Sequence, residues 1–200
     1  MPSRASANFR LARARCERLL SVSTDRRLRP VSYADAEPAL HAALATLVSG
    51  WEAYVESIVM EVVDAIAVGA AVEVGTLALL IKSEVSRAVD KFNTPNSENC
   101  RDFILRFTGL DIFPVMTCSR LSMPAHMARA RLNEILKVRH AFAHGFAIPA
   151  FAWTTRYGTT NRLTKRAVRE AQVLINEFVS NVDANLSNHV RAVFTNRILW

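Results

Sequence analysis

The stretch Arg139-His140-Ala141-Phe142-Ala143-His144-Gly145 sets a permanent cation beside two imidazoles. Arginine cannot shed its charge and histidine titrates near neutrality, so together they supply an anion clamp and a proton carrier. Those are the groups that chemistry at a phosphate requires. The stretch closes a segment that reads as a helix from Pro124 to Ala143, with Ser122 as N-cap, Pro124 in the first turn and Gly145 as stop signal. Leu132, Ile135, Leu136, Phe142 and Phe146 fall on one arc of that helix, and Arg139 projects into the middle of it. A cation in that position needs an anion, a carboxylate or a wet cleft, unless it snorkels past its apolar neighbours. His140 and His144, four apart, share the adjoining edge with Asn133 and Lys137.

Histidines at that spacing can also chelate zinc. Here, however, Ala141 stands where a HExxH string carries its glutamate, and a third ligand has to come from His126 or His189. The residues imply no metal and no cofactor.

The rest of the chain reads as helices that position this segment. Residues 36–67 repeat apolar side chains at threes and fours, from Leu40, Leu44 and Leu47 through Trp51, Tyr54, Val55 and Ile58 to Val62 and Ile66. Glu52, Glu56 and Glu61 ride on the other side as a solvated face, from which one carboxylate could serve as counter-ion to Arg139. A helix over 73–92 follows, with Leu77, Leu80, Ile81, Val85 and Val89 as its stripe and Gly69 and Gly75 loosening the join. Asn93-Thr94-Pro95-Asn96-Ser97 is a turn that caps a helix over 98–108, stopped by Gly109. Residues 146–161 are irregular. Their aromatics, interleaved with Arg156 and Arg162, either stack on bases or pin the loop to the body. A last helix spans 163–194 and starts with Lys165, Arg166 and Arg169. No internal repeat and no strand is evident. The expectation is an all-α protein: an antiparallel, up-and-down bundle of four to five helices.

Charge is divided along the chain. Residues 1–30 hold eight arginines against two acids, net +6. Residues 31–119 hold five basic and twelve acidic groups, net −7, and residues 120–200 hold twelve and four, net +8. The half containing the Arg/His stretch is the basic one, as a polyanion-handling face requires, although arginine-rich helices can also simply be solvated. Lys137, Arg156, Arg162, Lys165 and Arg166 are the basic side chains expected to meet such a ligand. Residues 1–30 superficially match an organellar transit peptide but lack the apolar core of a secretory signal. A basic N-terminal helix or arm, set before a domain over 31–200, is the preferred reading. No uncharged run is long enough to span a membrane. Three cysteines without CxxC spacing suit a reducing, cytoplasmic setting.

The R-x4-H pattern of Arg139 to His144 resembles the signature of the HEPN superfamily of helical ribonucleases and nucleotide-binding proteins. With Trp51-Glu52-Ala53-Tyr54-Val55-Glu56 and the Phe92-Asn93-Thr94-Pro95-Asn96 turn, it looks like the RiboL-PSP-HEPN branch, over roughly residues 36–195. The resemblance implies a homodimer in which two such motifs meet in one cleft. It also implies metal-independent RNA cleavage by attack of the ribose 2′-hydroxyl, leaving a cyclic phosphate. His144 then transfers protons and Arg139 holds the scissile phosphate. His140 takes the polar position after the arginine, where Asn or Asp is commoner. Roles in toxin–antitoxin pairs or phage defence, with an antitoxin or other neutralising partner protein, follow from the same resemblance. Some members are silent modules that bind RNA, nucleotide or a partner, and that alternative stands beside the endoribonuclease, as does a purely structural helical protein.

Overall fold

The computed structural model describes residues 2–23, 32–67, 72–193 and 200, without the side chains of 72–75 and 78. The end of the basic N-terminal segment, residues 24–30, and Gly69 lie outside the described residues. Six α-helices are present among the described residues: α1 Arg4–Val22, α2 Tyr33–Ala67, α3 Val72–Val89, α4 Ser97–Thr108, α5 Ala125–Ala143 and α6 Lys165–Val193. The fold is all-α. It adds one element absent from the sequence reading, an antiparallel hairpin of β1 Thr155–Tyr157 and β2 Thr160–Arg162. Gly158, with φ +59°, supplies the backbone that its tight turn needs, and flanking threonines favour the extended arms.

Helix α2 is the spine. Leu40, Leu44, Leu47, Trp51, Tyr54, Val55, Ile58 and Val62 are all buried, as their spacing predicts. Each aromatic must satisfy a polar tip in the dry interior. Trp51 Nε1 donates to the Pro95 carbonyl at 3.1 Å, and Tyr54 Oη donates to the Val179 carbonyl of α6 at 3.2 Å. Those bonds fix the 93–97 turn and α6 against one helix. Asn96 caps α4, accepting from Asn99 N at 2.7 Å, and Gly109 ends it in the left-handed conformation.

Helix α1 lies along α2 and buries Phe9, Cys16 and Leu20. Its first turn is held by two acids from elsewhere in the fold. Glu61 of α2 accepts from the backbone N–H groups of Arg4 and Ala5 at 3.0 and 2.6 Å, and Asp183 of α6 accepts from Ser3 N at 3.0 Å and from the Ser3 hydroxyl. Carboxylates at a helix N-terminus satisfy orphan donors and complement the dipole. Cys16, Cys100 and Cys118 are free and buried; burial pushes the Cys16 thiol up to about 12 and raises the other two.

Two stripes differ from expectation. In α3, Leu77, Leu80 and Ile81 are exposed, and among its described side chains only Val85 is buried. In α5 the buried face is Ala128, Leu132, Ile135, Val138 and Ala141, while Phe142 and Phe146 are 43% and 64% exposed. The apolar arc therefore runs out before the Arg/His stretch ends.

Gly50 marks the closest approach of α1 to α2: a Cβ there would lie 2.5 Å from the Ala12 Cβ. Glycine to alanine within a helix ordinarily stabilises by about 1 kcal/mol. Here the clash reverses the sign, so Gly50→Ala should destabilise by about 1–3 kcal/mol in urea unfolding.

Candidate functional site

The end of α5 is shaped by its own backbone. Gly145 adopts φ +69° and the chain forms a Schellman turn, with Gly145 N donating to Phe142 O at 3.1 Å and Phe146 N to Ala141 O at 2.8 Å. Pro124, not Ser122, is the N-cap; Ser122 sits in the left-handed region (φ 52°) at the end of a short 3-10 turn, and no side chain caps α5. The Schellman turn places His144 at the C-cap, over the preceding helical turn. The rings of His140 and His144 lie 4.3 Å apart, tilted by 47°, and both side chains are exposed. Phe146 closes the cluster, its centroid 5.9 Å from the His144 ring and 6.4 Å from that of His140.

Arg139 is half-buried, and no carboxylate reaches ion-pair distance of it among the described residues. Its charge does reach Glu52 of α2. Burial raises the Glu52 carboxyl above the usual range, and the Arg139 charge opposes that rise. Glu56, one turn on, is raised by burial and then by the Glu52 charge. The expected solvated acidic face is therefore not one: Glu52 and Glu56 are half-buried, and Glu61 caps α1. No hydrogen bond or ring contact joins Arg139 to either imidazole, so one chain pairs the histidines and leaves the arginine on the α2 side.

Two grooves flank the Phe146–Ala147 segment. The larger, about 580 Å³, opens between the 94–96 turn and the last turns of α5, with Leu136, Ala141, Phe146 and Pro149 as walls and Lys137 and His140 on its rim. The smaller, about 380 Å³, lies toward α2 and the hairpin, lined by Tyr33, Glu37, Phe142 and Arg162. The segment between them is tied down at several points. Asn161 Nδ2 donates to Ile148 O at 3.1 Å, Trp153 Nε1 donates to Glu134 of α5 at 3.0 Å, and Leu163 N donates to Tyr33 Oη at 3.0 Å.

Of the basic residues expected to meet a polyanion, Lys137 stands beside the histidines. Arg162 is sandwiched between the rings of Tyr157 and Tyr33, at 3.6 and 4.5 Å, across Phe146 from His140. Arg156 bonds the Gly158 carbonyl in its own hairpin, Arg166 pairs with Glu170 at 2.8 Å, and Lys165 opens α6. The five do not form one patch. Neither His126, exposed at the start of α5, nor His189, bonded to Thr108 O at 2.9 Å, joins the histidine pair, and no group of three metal-ligating side chains occurs among the described residues.

Sequence reasoning passed over His41. It is buried, stacked on Phe142 at 3.8 Å and 7°, and neither ring nitrogen has a hydrogen bond; Glu37 Oε1 is 3.7 Å from Nε2. Burial lowers its pKa, with Glu37 opposing. Only its four-residue spacing from Glu37 could have signalled this, and that spacing is common on helices.

No family model, curated protein or solved structure matches the chain. No helix among the described residues is long and apolar enough to cross a membrane.

A carboxyl whose folded pKa is raised binds its proton more tightly in the folded state than in the unfolded one. Its contribution to stability therefore falls as pH climbs from the ordinary carboxylate range through the raised value. Glu52→Gln should melt above the parent at pH 8, and the gap should close near pH 4, read by thermal denaturation across pH.

Proposed function

We propose that this chain is a metal-independent endoribonuclease of the HEPN type, cleaving RNA through its own 2′-hydroxyl to leave 2′,3′-cyclic phosphate ends. The observation that carries the reading is the exposed imidazole pair at the turn-locked end of α5, one residue from an arginine that no carboxylate pairs with among the described residues. Cyclising a phosphodiester takes a base for the 2′-hydroxyl, an acid for the departing 5′-oxygen and positive charge on the phosphate. His144 and His140 are placed to move protons. Arg139 has a guanidinium to spare for the phosphate once Glu52 is outcompeted. A second copy, related by a two-fold axis, would double the set and let base and acid come from opposite subunits.

The silent binding module remains the second reading. One observation favours it: within a single chain Arg139 feels Glu52 and touches neither histidine. Assembly decides between the two, because only a facing motif brings an arginine to the histidine pair.

Incubation with mixed RNA in EDTA, followed by end-group analysis, tests the activity. Cleavage should persist in EDTA, spare DNA and 2′-O-methyl RNA, and leave 5′-hydroxyl ends. His144→Ala should lose about 10²–10⁴ in rate, and Arg139→Ala as much or more, with His140→Ala losing less. Activity that appears only on adding a divalent metal would overturn the mechanism.

Exposed Arg4, Arg10, Arg15 and Arg18 on α1 give RNA a second basic surface. RNA affinity should fall steeply between low and physiological salt, and light scattering should show a dimer at micromolar concentration. Full activity from a monomer would remove the composite site.

A further inference from the structure

The groove of about 580 Å³ beside the histidine pair is built unlike the rest of the surface around it. Its walls are carbon: the Leu136 side chain, the Ala141 methyl, the Pro149 ring and one face of Phe146. Its rim is polar and its donors are unspent. Asn96 uses Oδ1 to cap α4, leaving Nδ2 without a partner among the described residues, and Lys137 has no ion pair there either. Asn133, by contrast, has both of its N–H donors in use. It accepts from Ser97 N at 2.9 Å and donates to the Ser97 hydroxyl and Glu98, each at 3.1 Å, so it fixes the floor of the groove and has no N–H left for a ligand.

An apolar slot walled by an aromatic ring, with a hydrogen-bond donor, a lysine and an imidazole among its lining, has the complementarity of a nucleotide: base inside, phosphate outside. His140 lines the groove and the His144 ring lies 4.3 Å from it, so a base in the slot would hold its own 3′-phosphate at the imidazoles. We propose that this groove is a nucleobase pocket that seats the nucleotide on the 5′ side of the scissile phosphate. The proposal rests on the ribonuclease reading for the phosphate, but not for the base. Phe146 becomes the stacking platform, and Lys137 and Asn96 Nδ2 become the groups that meet phosphate and base edge. A positioning site of this kind would also give the cleavage a base preference, which the Arg/His stretch alone has no means to supply.

The four nucleoside 3′-monophosphates, with ribose 5-phosphate and inorganic phosphate as controls, test this by calorimetric titration of the full chain. At least one nucleotide should bind about 10-fold more tightly than ribose 5-phosphate, the gain expected of one base–aromatic stack. Phe146→Ala should remove that gain. Ala147→Trp, at an exposed position beside the slot, should block it while leaving inorganic phosphate binding and the thermal melt unchanged. Nucleotides no tighter than ribose 5-phosphate, or indifferent to both substitutions, would overturn the proposal. So would a change of oligomeric mass in Ala147→Trp without any change in nucleotide binding, since the slot would then hold a side chain of a second copy. The two readings fail separately. RNA cleaved equally at all four bases, unaffected by Ala147→Trp, removes the pocket and keeps the nuclease. Nucleotide binding that persists in a chain without RNA cleavage removes the nuclease and keeps the pocket.

Discussion

Two hydrogen bonds made by buried aromatics organise the molecule. Trp51 and Tyr54 each bury a large ring, which contributes about 2 kcal/mol or more, but each also carries one polar group that costs a comparable amount if left unpaired. The partners are backbone carbonyls, at Pro95 ahead of α4 and at Val179 within α6. Because those carbonyls have fixed places in their own elements, α2 sets the position of the 94–97 turn and the phase of α6 together. The groove beside the histidines inherits its far wall from the first of these bonds.

The site itself depends on how a helix ends. Helix α5 delivers Arg139 and then His140, with His144 at its C-cap four residues on, and an uninterrupted helix would carry the chain onward past His144. The left-handed Gly145 instead folds the chain back, stacks His144 on Phe146 and turns one surface into two grooves. Electrostatics then separates the charged members. Glu52, half-buried on α2, lies within reach of the Arg139 charge, whereas Glu56 feels the charge of Glu52.

Much of this was legible in the chain. Helix limits followed from caps and stops, Asn96 and Gly109 among them, because those residues act through local backbone geometry. The core face of α2 followed from spacing, since a long central helix has one apolar side and little choice. What failed was tertiary. The α3 stripe of Leu77, Leu80 and Ile81 has helical period, yet these side chains stay exposed among the described residues. Phe142 finds its packing partner in His41 of α2, far away in sequence, which the periodicity of α5 cannot show. Glu61 looked like a solvated acid because its partners, the N–H groups of Arg4 and Ala5, lie 57 and 56 residues away and carry no sequence signal. The hairpin at 155–162 was missed for a simpler reason: three-residue strands are too short for alternation to register.

The three cysteines carry a practical consequence. Desolvation keeps each thiol protonated near neutrality, and only the thiolate reacts. The folded protein is therefore silent toward alkylating reagents, with no need to replace its native cysteines, and a single cysteine introduced on the surface would take a label alone. Cys16 is on the buried face of α1, Cys100 lies against Trp51 and Cys118 beside Glu177 of α6. Their separate rates of modification in a slow alkylation experiment would time the opening of three different seams of the bundle, turning a buried trio into a local unfolding clock.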